Sequence, residues 1–258
     1  MADAPEGTPI WADAMFSDLE GAKAFYGEVL GWTFGESSSE YGNYTQAYAD
    51  GKAVAAVVPP MPGQEGQSRW RLYLASPDAA ATAGKIRQNG GTVLMEPMQV
   101  GEFGTMCLAQ DPSGVAFGVW QPGTHKGFEA TNVPGSFYWA EIFTREPGKS
   151  DAFFPAVFGY SVKAVSEGDE DLIAFELRGQ PVLGRMKMTD QGGFSSGTPP
   201  YIQACWSVAD CDVAVKAARN LGGEVVFGPR TMPFGRLAAV IDPYGAPFAV
   251  IDTSTTGR

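Results

Sequence analysis

The chain repeats itself. Trp11-Ala12-Asp13-Ala14 returns as Trp139-Ala140-Glu141-Ile142, 128 positions later. At the same offset Phe25-Tyr26 meets Phe153-Phe154, and Leu30-Gly31-Trp32 meets Phe158-Gly159-Tyr160. Gly90-Gly91-Thr92-Val93 returns as Gly222-Gly223-Glu224-Val225, and Asp111-Pro112-Ser113-Gly114 as Asp242-Pro243-Tyr244-Gly245, at offsets of 132 and 131. Offsets that drift slightly between constant anchors are what surface loops tolerate. A duplication of this kind implies that both halves fold alike, and 258 residues suit two domains of ordinary size.

Each half divides again. Residues 10–17 alternate as a strand, and Asp18-Leu19-Glu20 signals a helix start. Ala22, Phe25, Tyr26, Val29 and Leu30 then share one helical face, and Gly31 ends the helix. Strand-like runs follow at 32–37, 43–49 and 52–58 before a Pro-rich breaker at 59–63. The order restarts with a strand near 69–76, a helix from Pro77 to Gln88, and runs at 92–100, 104–110 and 115–121. The expected fold is therefore α+β, with four βαβββ modules. The expected domains are 1–121 and 135–258, joined by a Gly- and Pro-containing linker at 122–134.

A net charge of -11 argues against nucleic acid and anionic membrane surfaces, which need a cationic footprint. The first residues lack a basic stretch followed by an apolar run, and no uninterrupted apolar stretch is long enough to span a bilayer. Three cysteines without framework spacing (Cys107, Cys205, Cys211) point to a reducing compartment. The expectation is a cytoplasmic monomer or homodimer that takes a small-molecule ligand. The lone histidine, His125, falls in the linker and is expected to be solvated.

The segment from Asp18 to Trp32 and the Asp-Pro-x-Gly turns resemble the vicinal oxygen chelate superfamily of glyoxalases, bleomycin-resistance proteins and extradiol dioxygenases. Gly7-Thr8-Pro9-Ile10-Trp11, Val54-Ala55-Ala56-Val57 and Gly118-Val119-Trp120-Gln121 further resemble a two-domain actinobacterial subgroup that includes a mycobacterial 27-kDa antigen. Its members carry glyoxalase-like or hydroxylase labels. The resemblance implies tandem domains whose modules curl two mixed sheets into cups around small ligands. Function must still be argued from the site.

In metal-dependent members of that superfamily, the resemblance places ligands on the first and last strands of each module. The matching positions here are Trp11, Arg71, Ala56 and Gly118 in one half and Trp139, Gln203, Gly184 and Ala249 in the other. Of these only Gln203 offers a donor that a divalent ion of this class uses, so neither a metal nor another cofactor is expected. Classical glyoxalase I and dioxygenase chemistry, which relies on a metal, is not expected either.

Strand alternation instead places Trp11, Asp13, Arg71, Tyr73 and Trp120 in the first cup and Trp139, Glu141, Gln203, Cys205 and Ile251 in the second. Aromatic walls with a few polar groups suit a flat organic ligand. Asp13 and Glu141 are the candidate acid/base groups, and Arg236, without a counterpart in the first half, is a further candidate ligand contact. The same residues could serve the fold alone, with the indoles as core filler and Asp13 and Arg71 as an ion pair. Cys205 has no histidine near it in sequence to activate it. Two functions are open: sequestration of an aromatic or polyketide-like metabolite or antibiotic, and metal-free lyase, isomerase or hydroxylase chemistry on one. A third possibility is a scaffold with plugged cups.

Overall fold

A computed structural model describes residues 4–60, 68–165 and 171–256. The breaker at 59–63 falls outside the described residues from Met61 onward. The first module comprises β1 (Pro9–Met15), α1 (Leu19–Leu30), β2 (Thr33–Phe34), β3 (Thr45–Ala49) and β4 (Lys52–Val58). The second comprises β5 (Trp70–Ala75), α2 (Ala79–Gln88), β6 (Thr92–Val100), β7 (Gly104–Gln110) and β8 (Ala116–Pro122). The third runs through β9 (Phe137–Thr144), α3 (Pro147–Phe158), β10 (Ser161–Ala164), β11 (Leu172–Leu177) and β12 (Gln180–Lys187). The fourth runs through β13 (Tyr201–Ser207), α4 (Cys211–Asn220), β14 (Glu224–Met232), β15 (Gly235–Ile241) and β16 (Pro247–Asp252).

Strand order is β2-β3-β4-β1-β5-β8-β7-β6 in one eight-stranded sheet and β10-β11-β12-β9-β13-β16-β15-β14 in the other. Both are mixed and open, as expected of cup-shaped sheets. One expected strand shrinks: of 32–37 only Thr33–Phe34 pairs, because the polar run Glu36–Glu40 has no apolar alternate to bury and turns into a short 3-10 segment at Ser39–Tyr41.

Helix boundaries follow local chemistry. The Asp18 carboxylate accepts from the Gly21 N–H at 2.9 Å, Asp78 from Ala81 at 2.9 Å and Asp210 from Val213 at 3.0 Å, each satisfying an amide that the first helical turn leaves open. α3 opens on Pro147 instead, where a missing N–H costs nothing. Gly31 and Gly159 close α1 and α3 with φ 72°, a left-handed geometry that suits glycine.

Packing divides the chain differently from the sheets. One compact unit is Met1–Trp11, Arg71–Gly127 and Trp139–Ile202; the other is Ala12–Trp70, Phe128–Tyr138 and Gln203–Arg258. Each unit thus takes one module from either half. Inside the second unit, Tyr26 of α1 is fully buried among Trp32, Trp70 and Phe248, and its hydroxyl donates to Asp242 Oδ2 at 2.8 Å. Inside the first, Ser150 of α3 donates to Asp111 Oδ2 at 2.5 Å while Phe117 packs on Phe153 and Phe154.

Asp111 and Asp242 are the aspartates of the two Asp-Pro-x-Gly turns. Each spends Oδ1 on the backbone of its own turn, accepting from Val115 at 2.9 Å and Ala246 at 2.7 Å. Each offers Oδ2 to a helix from the other half of the chain.

The segment expected to link the domains is packed. Phe128 stacks on Phe137 at 4.8 Å, the Glu129 carboxylate accepts from the Ala53 N–H, and Gly127 lies against Ile10. All three cysteines are buried and outside any disulfide among the described residues. Among the described residues no helix is long and apolar enough to cross a membrane.

Candidate functional site

The equivalent positions of the two halves have diverged in a consistent way. Residue pairs opposite each other on parallel strands are Asp13 and Ala56, Tyr73 and Gly118, Glu141 and Gly184, and Cys205 and Ala249. Opposed residues point to one face, so the small partner decides how much room the larger one has.

In the first half, that room is taken. Trp11 is only 3% exposed and meets the His125 ring edge-on, with centroids 4.4 Å apart. Trp120 meets the same ring at 5.6 Å, and its indole N–H donates to the His125 carbonyl at 3.0 Å. His125 is therefore no solvated loop residue: two tryptophans hold its ring, and the turn after β8 is folded back to place it. Tyr73, also buried, lies flat over Gly118, where a Cβ would come within 2.2 Å of the phenol ring. Arg71 stands half-buried and Asp13 buried.

A ring held by its strand cannot step aside, so Gly118→Ala is expected to destabilise the protein by about 1–3 kcal/mol through overpacking. At Gly184 the nearest atoms are only the carboxylate end of Glu141, and Gly184→Ala should move that group at smaller cost. Urea denaturation of the two variants distinguishes these outcomes, and equal losses would refute the difference in packing.

In the second half the arrangement is looser at the indole. Trp139 is half-buried, and its N–H donates to Glu141 Oε2 at 3.0 Å. Glu141 Oε1 is buried and has no hydrogen-bond partner among the described residues. Burial pushes the Glu141 carboxyl up to about 7, against the smaller opposing effects of the Trp139 hydrogen bond and the Arg185 charge. Gly184 forms the floor beneath it.

The next residue on β12, Arg185, is 1% exposed and turns toward α3 and the start of β11. There Nε and NH2 donate to Asp151 at 2.8 and 2.6 Å, and NH1 to Asp171 at 2.5 Å. One strand thus supplies a glycine to the acid's face and a fully engaged cation to the opposite face.

The remaining candidates separate. Gln203 and Cys205 are buried on β13. Ile251 is completely buried. Arg236 is directed elsewhere: its guanidinium pairs with Asp212 at the start of α4, at 2.6 and 2.9 Å, and with the Thr231 hydroxyl at 3.1 Å. That pairing commits the guanidinium to the start of α4. Sequence reading missed two contributors, His125 and Arg185. The isolated histidine beside a tryptophan-bearing strand was the one available signal for the first, and no spacing pointed to the second.

Among the described residues no group of three or more His, Cys, Asp or Glu side chains is placed to hold a metal ion. At the superfamily's ligand positions stand indole, guanidinium, glycine and alanine with a single amide, a donor set that does not fit such an ion.

Residues 11–119 match the model of the glyoxalase/bleomycin resistance protein/dioxygenase superfamily. The anthracycline biosynthesis protein DauV of Streptomyces sp. (strain C5) is 34% identical over 260 residues, covering 95% of this chain and 93% of its own. CFP32 of Mycobacterium tuberculosis is 33% identical over 253 residues, with 95% of each chain covered. The crystal structure of a Mn(II)-bound glyoxalase from Novosphingobium aromaticivorans superimposes with a TM-score of 0.65 over 98% of this chain and 87% of its own; its 18% identity supports the fold alone. The chain belongs to the glyoxalase/bleomycin resistance protein/dioxygenase superfamily.

Proposed function

We propose that this protein binds a small planar metabolite or antibiotic, aromatic or polyketide-like, at Trp139 and Glu141, without a metal of the superfamily type. The observation that carries the reading is the contrast between the halves. Trp11 is covered by His125, whereas Trp139 is half-buried and donates to a carboxyl group whose other oxygen has no partner among the described residues. Buried polar atoms are nearly always paired, so an orphaned one asks for a partner. The name of the Streptomyces relative, an anthracycline biosynthesis protein, supports a polycyclic aromatic ligand. A net charge of -11 supports a small molecule over nucleic acid as the partner.

Equilibrium dialysis against a panel of anthracyclinones tests this. Binding should be unaffected by chelator and at least about tenfold weaker in Trp139→Ala, a loss in the range of an aromatic stacking contact. Retention of full affinity by that variant, or no binding across the panel, would reject the site.

A second reading has its own support: a carboxyl held near 7 can exchange protons at neutral pH, which suits metal-free lyase, isomerase or hydroxylase chemistry. Asp13 holds the equivalent place in the first half. Turnover that vanishes in Glu141→Gln while ligand binding persists would establish the enzyme over the binding protein.

A further inference from the structure

The two oxygens of Glu141 are not equivalent. Oε2 accepts the Trp139 N–H, whereas Oε1 is buried with no partner among the described residues. Gly184 beneath the carboxyl leaves its plane clear of any side chain from β12. The charged group acting on Glu141 from that strand is Arg185, and its guanidinium is spent on Asp151 of α3 and Asp171. No described cation pairs with Glu141 directly.

A buried carboxyl without a paired cation favours its neutral form. A ring system seated on Trp139 would remove more water and favour that form further. The neutral acid carries one O–H donor. Because Oε2 is engaged as an acceptor, the proton belongs on Oε1, the oxygen without a partner among the described residues.

We infer that Glu141 recognises its ligand as a hydrogen-bond donor, and that the ligand is an aromatic ketone or quinone whose carbonyl oxygen accepts from Oε1 while its ring lies against Trp139. This rests on the binding role proposed above and names the chemistry that the site reads. It is the opposite of amine recognition, which needs the carboxylate.

Three probes of similar shape separate these cases: anthraquinone-2-sulfonate, anthracene-2-sulfonate, and 9-(aminomethyl)anthracene. The first two share ring outline and charge and differ in the carbonyls. By calorimetry at pH 6 the quinone should bind about tenfold more tightly than the hydrocarbon, as one hydrogen bond from a buried acid allows. The preference should fall toward unity by pH 8.5, as Oε1 loses its proton.

Glu141→Gln should keep the preference and remove its pH dependence, since the amide oxygen can still accept from Trp139 while the NH2 donates from the place of Oε1. Glu141→Leu should abolish the preference at every pH. Equal affinity for both sulfonates at every pH would overturn the inference with the binding site still standing. So would tighter binding of the amine that strengthens with pH and is lost in Glu141→Gln. If no probe binds, the binding reading fails and the inference with it.

Discussion

Replacing Glu141 with glutamine is expected to stabilise the protein in alkaline solution and leave it unchanged in acid. The folded carboxyl holds its proton more tightly than the unfolded one, with a value raised from 4.5 to about 7 chiefly by burial. Its favourable contribution is therefore complete below the unfolded value and lost as pH rises through about 7. A displacement of that size corresponds to about 3 kcal/mol once the group is ionised in both states. Glutamine occupies nearly the same volume and preserves an acceptor for Trp139, yet has no charge to bury. Urea denaturation at pH 4 should give coincident curves for the two proteins. At pH 8.5 the variant should gain about 2–3 kcal/mol. Parallel pH profiles would show that Glu141 is hydrated in the folded state and that the environment described for it is wrong.

The second large effect is expected at Tyr26. Its ring sits between Trp32 and Trp70, stacked on one and edge-on to the other, with centroids 5.5 and 5.3 Å away. Its hydroxyl accepts from the Trp70 N–H at 2.9 Å and donates to Asp242. Tyr26→Ala should cost about 4 kcal/mol or more, combining a large cavity with two orphaned polar groups. Tyr26→Phe isolates the polar part and should cost about 1–3 kcal/mol, since the Trp70 N–H and Asp242 Oδ2 then lose a buried partner. Thermal and urea unfolding of both variants provide the measurement. A phenylalanine variant as stable as the parent would mean that this hydrogen-bond network adds nothing to the packing of α1 on the fourth module.

These two residues mark the boundary between what could be read from the chain and what could not. The duplication, the four modules and most element boundaries are legible in the residues alone. Apolar residues at helical spacing between Ala22 and Leu30, Asp at each of three helix starts, and Gly31 and Gly159 at two ends are signals carried by neighbours a few residues apart. Even the resemblance to the superfamily rested on such short runs. The absence of metal donors at Trp11, Arg71, Trp139 and Gly184 was equally legible, because it depends only on residue identity.

The surroundings of each side chain arise only on folding. The Asp242 oxygen that receives Tyr26 lies 216 residues away in sequence, and no local pattern says which module a helix will pack on. His125 reads as a loop residue until the turn after β8 places it between Trp11 and Trp120. Arg236 reads as a spare cation until α4 brings Asp212 beneath it. Trp11 and Trp139, with Asp13 and Glu141, are nearly interchangeable as letters. They differ as chemistry because one indole is covered and the other half-buried, and because one acid lies opposite an alanine and the other opposite a glycine. The strength with which a carboxyl holds its proton is set by the water and charge around it, and that arrangement exists only once distant strands have come together.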